Sequence, residues 1–258
     1  MNLLAIDIGN SNVVVGHYLN GQWANLWRLP SHVEDPLPYF EWQLQNLFLE
    51  SAIRTDQLEA VLVSSVVPAL TPVFKEIAFQ INAREPLLMG PVIYPLLNLS
   101  IARPNEIGAD LVCNALAAVE RFNTDTIIVD FGTALTLTSV TSKREILGVS
   151  IAPGVKTAMN ALFKATAKLP EVPAVWPQSV IGKDTIHAIQ SGVMRGYVGL
   201  IRHLVAETRT EMGRPAITVA TGGLAHTMQD LKGFFDHEIP QLTLDGLVCA
   251  WRLVRKVS

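Results

Sequence analysis

The sequence predicts an α/β fold made of two related halves. Two observations carry that prediction. Short β-branched runs alternate with helical stretches along the chain. One pattern also occurs twice, nearly half the chain apart: Leu4-Ala5-Ile6-Asp7-Ile8-Gly9-Asn10-Ser11 and Ile127-Ile128-Val129-Asp130-Phe131-Gly132-Thr133-Ala134. Each copy is an apolar strand ending in Asp, an apolar residue, Gly and a small polar residue, followed by another apolar run.

The elements follow in order. Leu3–Ile8, Val13–Tyr18, Ala60–Ser64, Thr126–Val129, Leu135–Val140 and Ala216–Ala220 read as strands, because they are β-branched and bounded by Gly, Asn, Asp or Pro. Ala60–Ser64 is nearly all apolar, as expected of a strand covered on both faces. Helices are predicted over Tyr39–Ser51, Pro72–Ile81, Asp110–Phe122, Thr157–Thr166, Asp184–Thr210 and Asp245–Lys256. The long Asp184–Thr210 stretch places Ile186, Ile189, Val193, Tyr197, Leu200, Ile201 and Leu204 on one wide apolar stripe. Pro170–Pro177 reads as a loop, since its prolines exclude regular helix and central strand.

Composition narrows the function. Of the 258 residues 49% are apolar, which excludes a disordered chain. The formal net charge of −3 lacks the basic surplus of a general nucleic-acid binder or a polybasic membrane anchor. No run approaches the ~18 apolar residues of a membrane span. Asp7 interrupts the N-terminal apolar run, which therefore reads as a strand and not a signal peptide. Cys113 and Cys249 cannot form a disulfide framework and read as buried thiols in a reducing, cytoplasmic setting.

The repeated turn has a definite chemistry. Gly lets the backbone come close to a ligand, and successive N–H groups with Asn, Ser or Thr side chains can cradle phosphate oxygens. The strand-end Asp can hold a cation. A lone copy is equally an ordinary β-turn; two copies with matched flanks favour phosphate, gripped from both sides by facing hairpins. A third signal, Thr221-Gly222-Gly223-Leu224-Ala225, follows a strand and could lay a flat ring on the backbone, or be a plain tight turn. The order of hairpin, hairpin and Gly-Gly turn is similar to that of the sugar kinase, heat-shock protein and actin superfamily. No Walker-type loop is present. Asp110 opens a helix after Arg103-Pro104-Asn105-Glu106-Ile107-Gly108-Ala109, where capping explains it as well as catalysis does. The helix dipole is expected to keep it ionised, and an ionised carboxylate can accept the proton of an alcohol attacking a γ-phosphate. The six histidines show no metal-ligand spacing.

Taken together, these motifs resemble the type III pantothenate kinase family, also described as Bvg accessory factor-like. Further matches are Ile151-Ala152-Pro153-Gly154, Thr166–Pro170, Ile181–Thr185, Gln190-Ser191-Gly192 and Leu242–Leu247. The resemblance implies two actin-like ATPase (ribonuclease H-like) domains with mixed five-stranded sheets flanked by helices. Residues 1–121 would carry the first hairpin and the catalytic Asp. Residues 122–258 would carry the second hairpin, the adenosine turn and a dimer interface.

It also implies ATP-dependent phosphorylation of pantothenate in coenzyme A biosynthesis, with Asp110 as proton acceptor. ATP would be contacted by Asp7, Ile8, Gly9, Asn10, Ser11, Asn12, Val13, Val14 and Thr133, and by Gly222 and Gly223. Asp130 would hold K⁺ or NH₄⁺, with Mg²⁺ accompanying ATP. Pantothenate would meet Gly108, Ala109, Asp110 and Leu111, and Thr185 from the neighbouring subunit of a homodimer. Four positions depart from the family pattern. Leu111 replaces an Arg, Leu135 a Thr, Thr138 an Asp and Val149 a Gly. A lost Arg forfeits a charge-assisted hydrogen bond, for which Arg103 or Lys156 are candidate replacements. Two other readings are a kinase for a different small alcohol and a non-catalytic nucleotide-binding accessory regulator.

Overall fold

A computed structural model describes residues 1–256, so the last two positions of the expected second half lie outside it. The chain divides into two compact units, one comprising Met1–Glu120 and the segment from Leu242, the other Arg121–Gln241.

The first unit contains β1 (Asn2–Ile8), β2 (Asn12–Leu19), β3 (Gln22–Pro30), α1 (Pro36–Glu50), β4 (Ala60–Ser65), α2 (Thr71–Asn82), β5 (Leu87–Leu88), β6 (Ser100–Ile101) and α3 (Ala109–Phe122), whose last two residues fall past the unit boundary. Its five-stranded sheet runs β3-β2-β1-β4-β5. The β1–β2 and β2–β3 pairs are antiparallel, the β1–β4 and β4–β5 pairs parallel. Strand alternation gives the sheet two faces. Leu4, Ile6, Ile8, Val13, Val15, Val61 and Val63 form a core with Phe40, Leu44 and Phe74 of α1 and α2.

The second unit contains β7 (Thr126–Phe131), β8 (Ala134–Val140), β9 (Glu145–Pro153), α4 (Val155–Ala165), α5 (Thr185–Gln190), α6 (Gly196–Met212), β10 (Ile217–Thr221) and β11 (His237–Glu238). Its own five strands run β9-β8-β7-β10-β11 within a six-stranded sheet, where the expectation was five. The directions repeat those of the first unit: β7–β8 and β8–β9 antiparallel, β7–β10 and β10–β11 parallel. The motif repeat is therefore a repeat of topology. Ile127, Val129, Phe131, Leu135 and Leu137 build the core with Met159 of α4 and Ile201 and Val205 of α6.

Three findings differ from the sequence expectation. The final helix, α7 (Leu242–Val254), belongs with the first unit and not with the half assigned to residues 122–258. It packs on β1 and β4. Trp23 Nε1 donates to Asp245 at 2.7 Å, Thr243 Oγ1 to Asn114 at 2.9 Å and Arg252 to the Tyr18 hydroxyl at 2.8 Å.

The single helix expected over Asp184–Thr210 is two helices joined by a π turn, Ser191–Arg195. Gly192 lies within that widened turn and Gly196 directly follows it, while Ser191 and Met194 keep the turn anchored in the core.

β3 and β9 appear where no strand was read. β3 is an edge strand, and both strands leave one face largely exposed. Pro30 and Pro153 stand at their ends, where a missing N–H costs no ladder bond.

Candidate active site

In the first unit the β1–β2 turn is Gly9-Asn10-Ser11, closed by Gly9 N–H donating to Asn12 O at 3.0 Å. Asn10 and Ser11 are exposed, as ligand-facing groups must be. Ser31, just past β3, pins this turn: its hydroxyl donates to Gly9 O at 2.6 Å and its N–H to Ser11 O at 3.2 Å. Ser31 is a site residue that the sequence reading missed. It carries no motif and arrives only through the β2–β3 pairing.

Asp7 lies opposite Val14 on β2 and Ser64 on β4. Val14, Asp7 and Ser64 therefore share the sheet face turned away from α1 and α2. Asn12 and Val13 already belong to β2, and Ile8 and Val13 point into the core, so these two contribute backbone rather than side chains.

Asp110 is the second residue of α3. Its Oδ1 accepts from the Leu111 N–H at 2.8 Å. Asp110 thus satisfies a first-turn amide from within the helix rather than capping it from outside, and a catalytic role is compatible with that. Burial pushes the carboxyl above its ordinary range, opposed by the first-turn amides. Desolvation is the larger influence, and the amide hydrogen bonds offset only part of it. One turn on, the buried Cys113 thiol is raised first by burial and then by the charges of Asp7 and Asp110. Both carboxylates therefore act on one neighbourhood.

Beside Asp110 opens a cavity of about 940 Å³. Gly108 and Ala109 line it, with Val66, Met89, Tyr94 and Ile107 among its walls. Asp110 Oδ1 lies so close to Gly108 that a Cβ there would overlap it. The carboxylate thus borders the cavity wall. Leu111 does not line the cavity. Its side chain is 7% exposed and serves the packing of α3.

In the second unit Asp130 lies opposite Thr136 on β8 and Thr221 on β10. Gly222, at φ 89°, follows Thr221. A Cβ there would strike Asp130 Oδ1 and the Phe131 backbone, and the backbone conformation itself disfavours other residues. The Gly222–Gly223 turn and the second hairpin are thereby neighbours. Thr133 is exposed at the hairpin tip. Its carbonyl accepts from Gly154 N–H at 2.9 Å and Thr157 Oγ1 at 2.6 Å, so the Ile151–Gly154 motif braces this turn. Leu135 and Thr138 are both fully packed. Thr185 is exposed at the start of α5, behind an Asp184 cap that accepts from His187 N–H at 2.8 Å. Ser191, from the Gln190–Gly192 motif, tethers the preceding loop by donating to Val180 O.

Among the described residues no three His, Cys, Asp or Glu side chains gather as a metal-holding group. The donors on offer are oxygens. Thr136 Oγ1 is buried, has no hydrogen-bond partner and sits opposite Asp130. Lone carboxylates and hydroxyls suit hard cations that complete their shell with phosphate and water. The residues present therefore fit such a cation.

The doubled five-stranded topology, with a Gly-bearing hairpin at each first strand, defines an actin-like ATPase fold. Solved structures agree on that fold. The chain matches a Baf family transcriptional activator from Campylobacter jejuni with TM-score 0.59 at 18% identity, covering 98% of this chain and 99% of that one. It matches ADP-bound MreB5 of Spiroplasma citri with TM-score 0.54 at 11% identity, covering 99% and 96%.

Within that class, the family model for type III pantothenate kinase matches residues 3–207. A type III pantothenate kinase of Moorella thermoacetica is 37% identical over 245 residues, 95% of this chain and 96% of the relative. The chain belongs to the type III pantothenate kinase family.

Proposed function

We propose that the protein transfers the γ-phosphoryl group of ATP to the primary hydroxyl of pantothenate, the entry step of coenzyme A biosynthesis. The observation that carries this reading is the placement of Asp110 at the first turn of α3, against a cavity large enough for a small acid alcohol. Asp110 accepts the hydroxyl proton as the alcohol attacks. Gly108 and Ala109 shape the wall along which pantothenate lies, and Leu111 contributes its backbone.

The Asp7–Val14 segment offers N–H groups and the Asn10 and Ser11 side chains to the ATP phosphates. Thr133 does the same from the second hairpin, and Gly222–Gly223 receive the adenosine. Asp130 and Thr136 would hold a monovalent cation, K⁺ or NH₄⁺. Bound cations, Mg²⁺ with ATP included, supply neutralisation of phosphate charge. Chain residues supply position and fixed dipoles, which dominate phosphoryl transfer. Thr185 contacts the substrate from the partner subunit of a homodimer. The proposed setting is the cytoplasm, and among the described residues no helix is long and apolar enough to cross a membrane.

The test is an ADP-release assay with pantothenate, with and without K⁺. Turnover by the wild type, lowered about 10²–10⁴-fold in Asp110→Asn, is the expected result. Absence of turnover with any cation between pH 6 and 9 would sink the proposal.

A further inference from the structure

Position 111 cannot supply the charge that an anionic substrate needs, since Leu111 is both neutral and packed away. Arg103 does not line the cavity and is paired with a carboxylate that does: its guanidinium meets Glu106 at 3.1 Å. Lys156 sits on α4 in the second unit. Lys75, on the second turn of α2, is different. Among the described residues it is the only cationic side chain lining the cavity, and it makes no ion pair there.

A second observation marks the opposite pole. Tyr94 also lines the cavity and is only 4% exposed, so its ring is held in the wall and its hydroxyl is a polar group of the lining. A hydroxyl in a cavity wall can donate to, or accept from, a ligand that enters. Tyr94 lies near enough to Asp110 to feel its charge. By contrast, the Ser65 and Thr71 hydroxyls bond each other at 2.8 Å and are both within reach of the Val67 carbonyl. The walls between the poles are apolar: Val66, Val67, Pro72, Leu88, Met89 and Ile107.

We infer that the cavity reads an acidic alcohol from two ends: Tyr94 binds it beside Asp110 at the buried pole, and Lys75 takes its carboxylate at the open pole. The branched apolar middle of such a substrate packs on the walls between them. This orientation presents the hydroxyl, not the carboxylate, to Asp110. The inference rests on the kinase reading above and names the residues that give it substrate selectivity.

The experiment compares pantothenate with panthenol, the same molecule with CH₂OH in place of its carboxylate, in the full-length protein. Wild type is expected to prefer pantothenate in kcat/KM. In Lys75→Gln the KM for pantothenate rises about tenfold and that for panthenol stays unchanged, while kcat is kept. Lys75→Arg retains most of the preference. The pantothenate KM of the wild type also rises with salt, as an ion pair at an open site must. Tyr94→Phe weakens both substrates alike.

An unchanged pantothenate-to-panthenol ratio in Lys75→Gln would overturn the inference. Calorimetric titration with both compounds separates the two proposals. Pantothenate binding that is lost in Lys75→Gln, without turnover in the wild type, supports the cavity reading and refutes the kinase reading. No binding of pantothenate by the wild type refutes both.

Discussion

Asp110 pairs a catalytic assignment with a cost to the fold. Its carboxyl is raised by burial, and the Leu111 amide recovers only part of that. In the unfolded chain it titrates near the ordinary ~3.9. Between that value and the raised folded one, the folded chain binds the proton more tightly. Stability therefore falls as pH rises through the window. Asp110→Asn keeps an oxygen acceptor for the α3 amides and removes the buried charge. The variant is expected to turn over far more slowly yet to melt higher than wild type at pH 7, with the gap closing as pH falls towards about 4. Thermal melts across pH check this; an equal or lower Tm at pH 7 would show that the carboxylate carries no such cost. The same shift moves the acid limb of kcat/KM to higher pH than an ordinary carboxylate would give, because the base works only when deprotonated.

At the scale of elements, the crossing of α3 and α7 holds the first unit together. Gly246 of α7 lies directly on the Cys113 backbone of α3, and a Cβ there would overlap its carbonyl. Backbone cannot swing aside as a side chain does. Gly246→Ala is expected to cost about 1–3 kcal/mol, at the upper end of that range. A Tm loss of roughly 5–10 °C follows for a chain of this size, read by calorimetry. A change under 2 °C would mean that α7 shifts freely.

What was legible beforehand follows from where each signal resides. β1, β2, β4, β7, β8 and β10 are buried, β-branched runs, so composition alone marks them. β3 and β9 have largely exposed faces, so their strand state comes from pairing; the run Gln22-Trp23-Ala24-Asn25-Leu26-Trp27 has no clean alternation. The apolar stripe continues through Ser191–Arg195, which hides the π turn. α7 follows the second unit in sequence, yet its partners β1 and β4 lie near the other end of the chain. Asp7, Asp110, Asp130 and Gly222 were readable because each stands at the end of an element in a Gly-bearing motif. Ser31, Lys75 and Tyr94 sit in ordinary sequence and enter the proposed site only through tertiary contact.

At the scale of the whole molecule, Thr185 raises the question of how many chains build one site. The first residue of α5 is exposed, and exposed apolar residues lie close to it in the chain: Val180, Ile181 and Ile186. Such surfaces associate. A twofold dimer uses one patch on both subunits, so each site would take Asp110 from one chain and Thr185 from the other. Two variants, Asp110→Asn and Thr185→Ala, test this when mixed under conditions that let subunits exchange. Each alone is expected to be impaired. In a mixed dimer one site collects both defects and the other collects neither. Random exchange at equal amounts then restores about one quarter of wild-type activity. If each chain builds its own site, every site in the mixture keeps one defect and mixing restores nothing. Sedimentation of the wild type supplies the companion measurement: a dimer mass is expected, and a monomer at working concentration would remove the shared site with it.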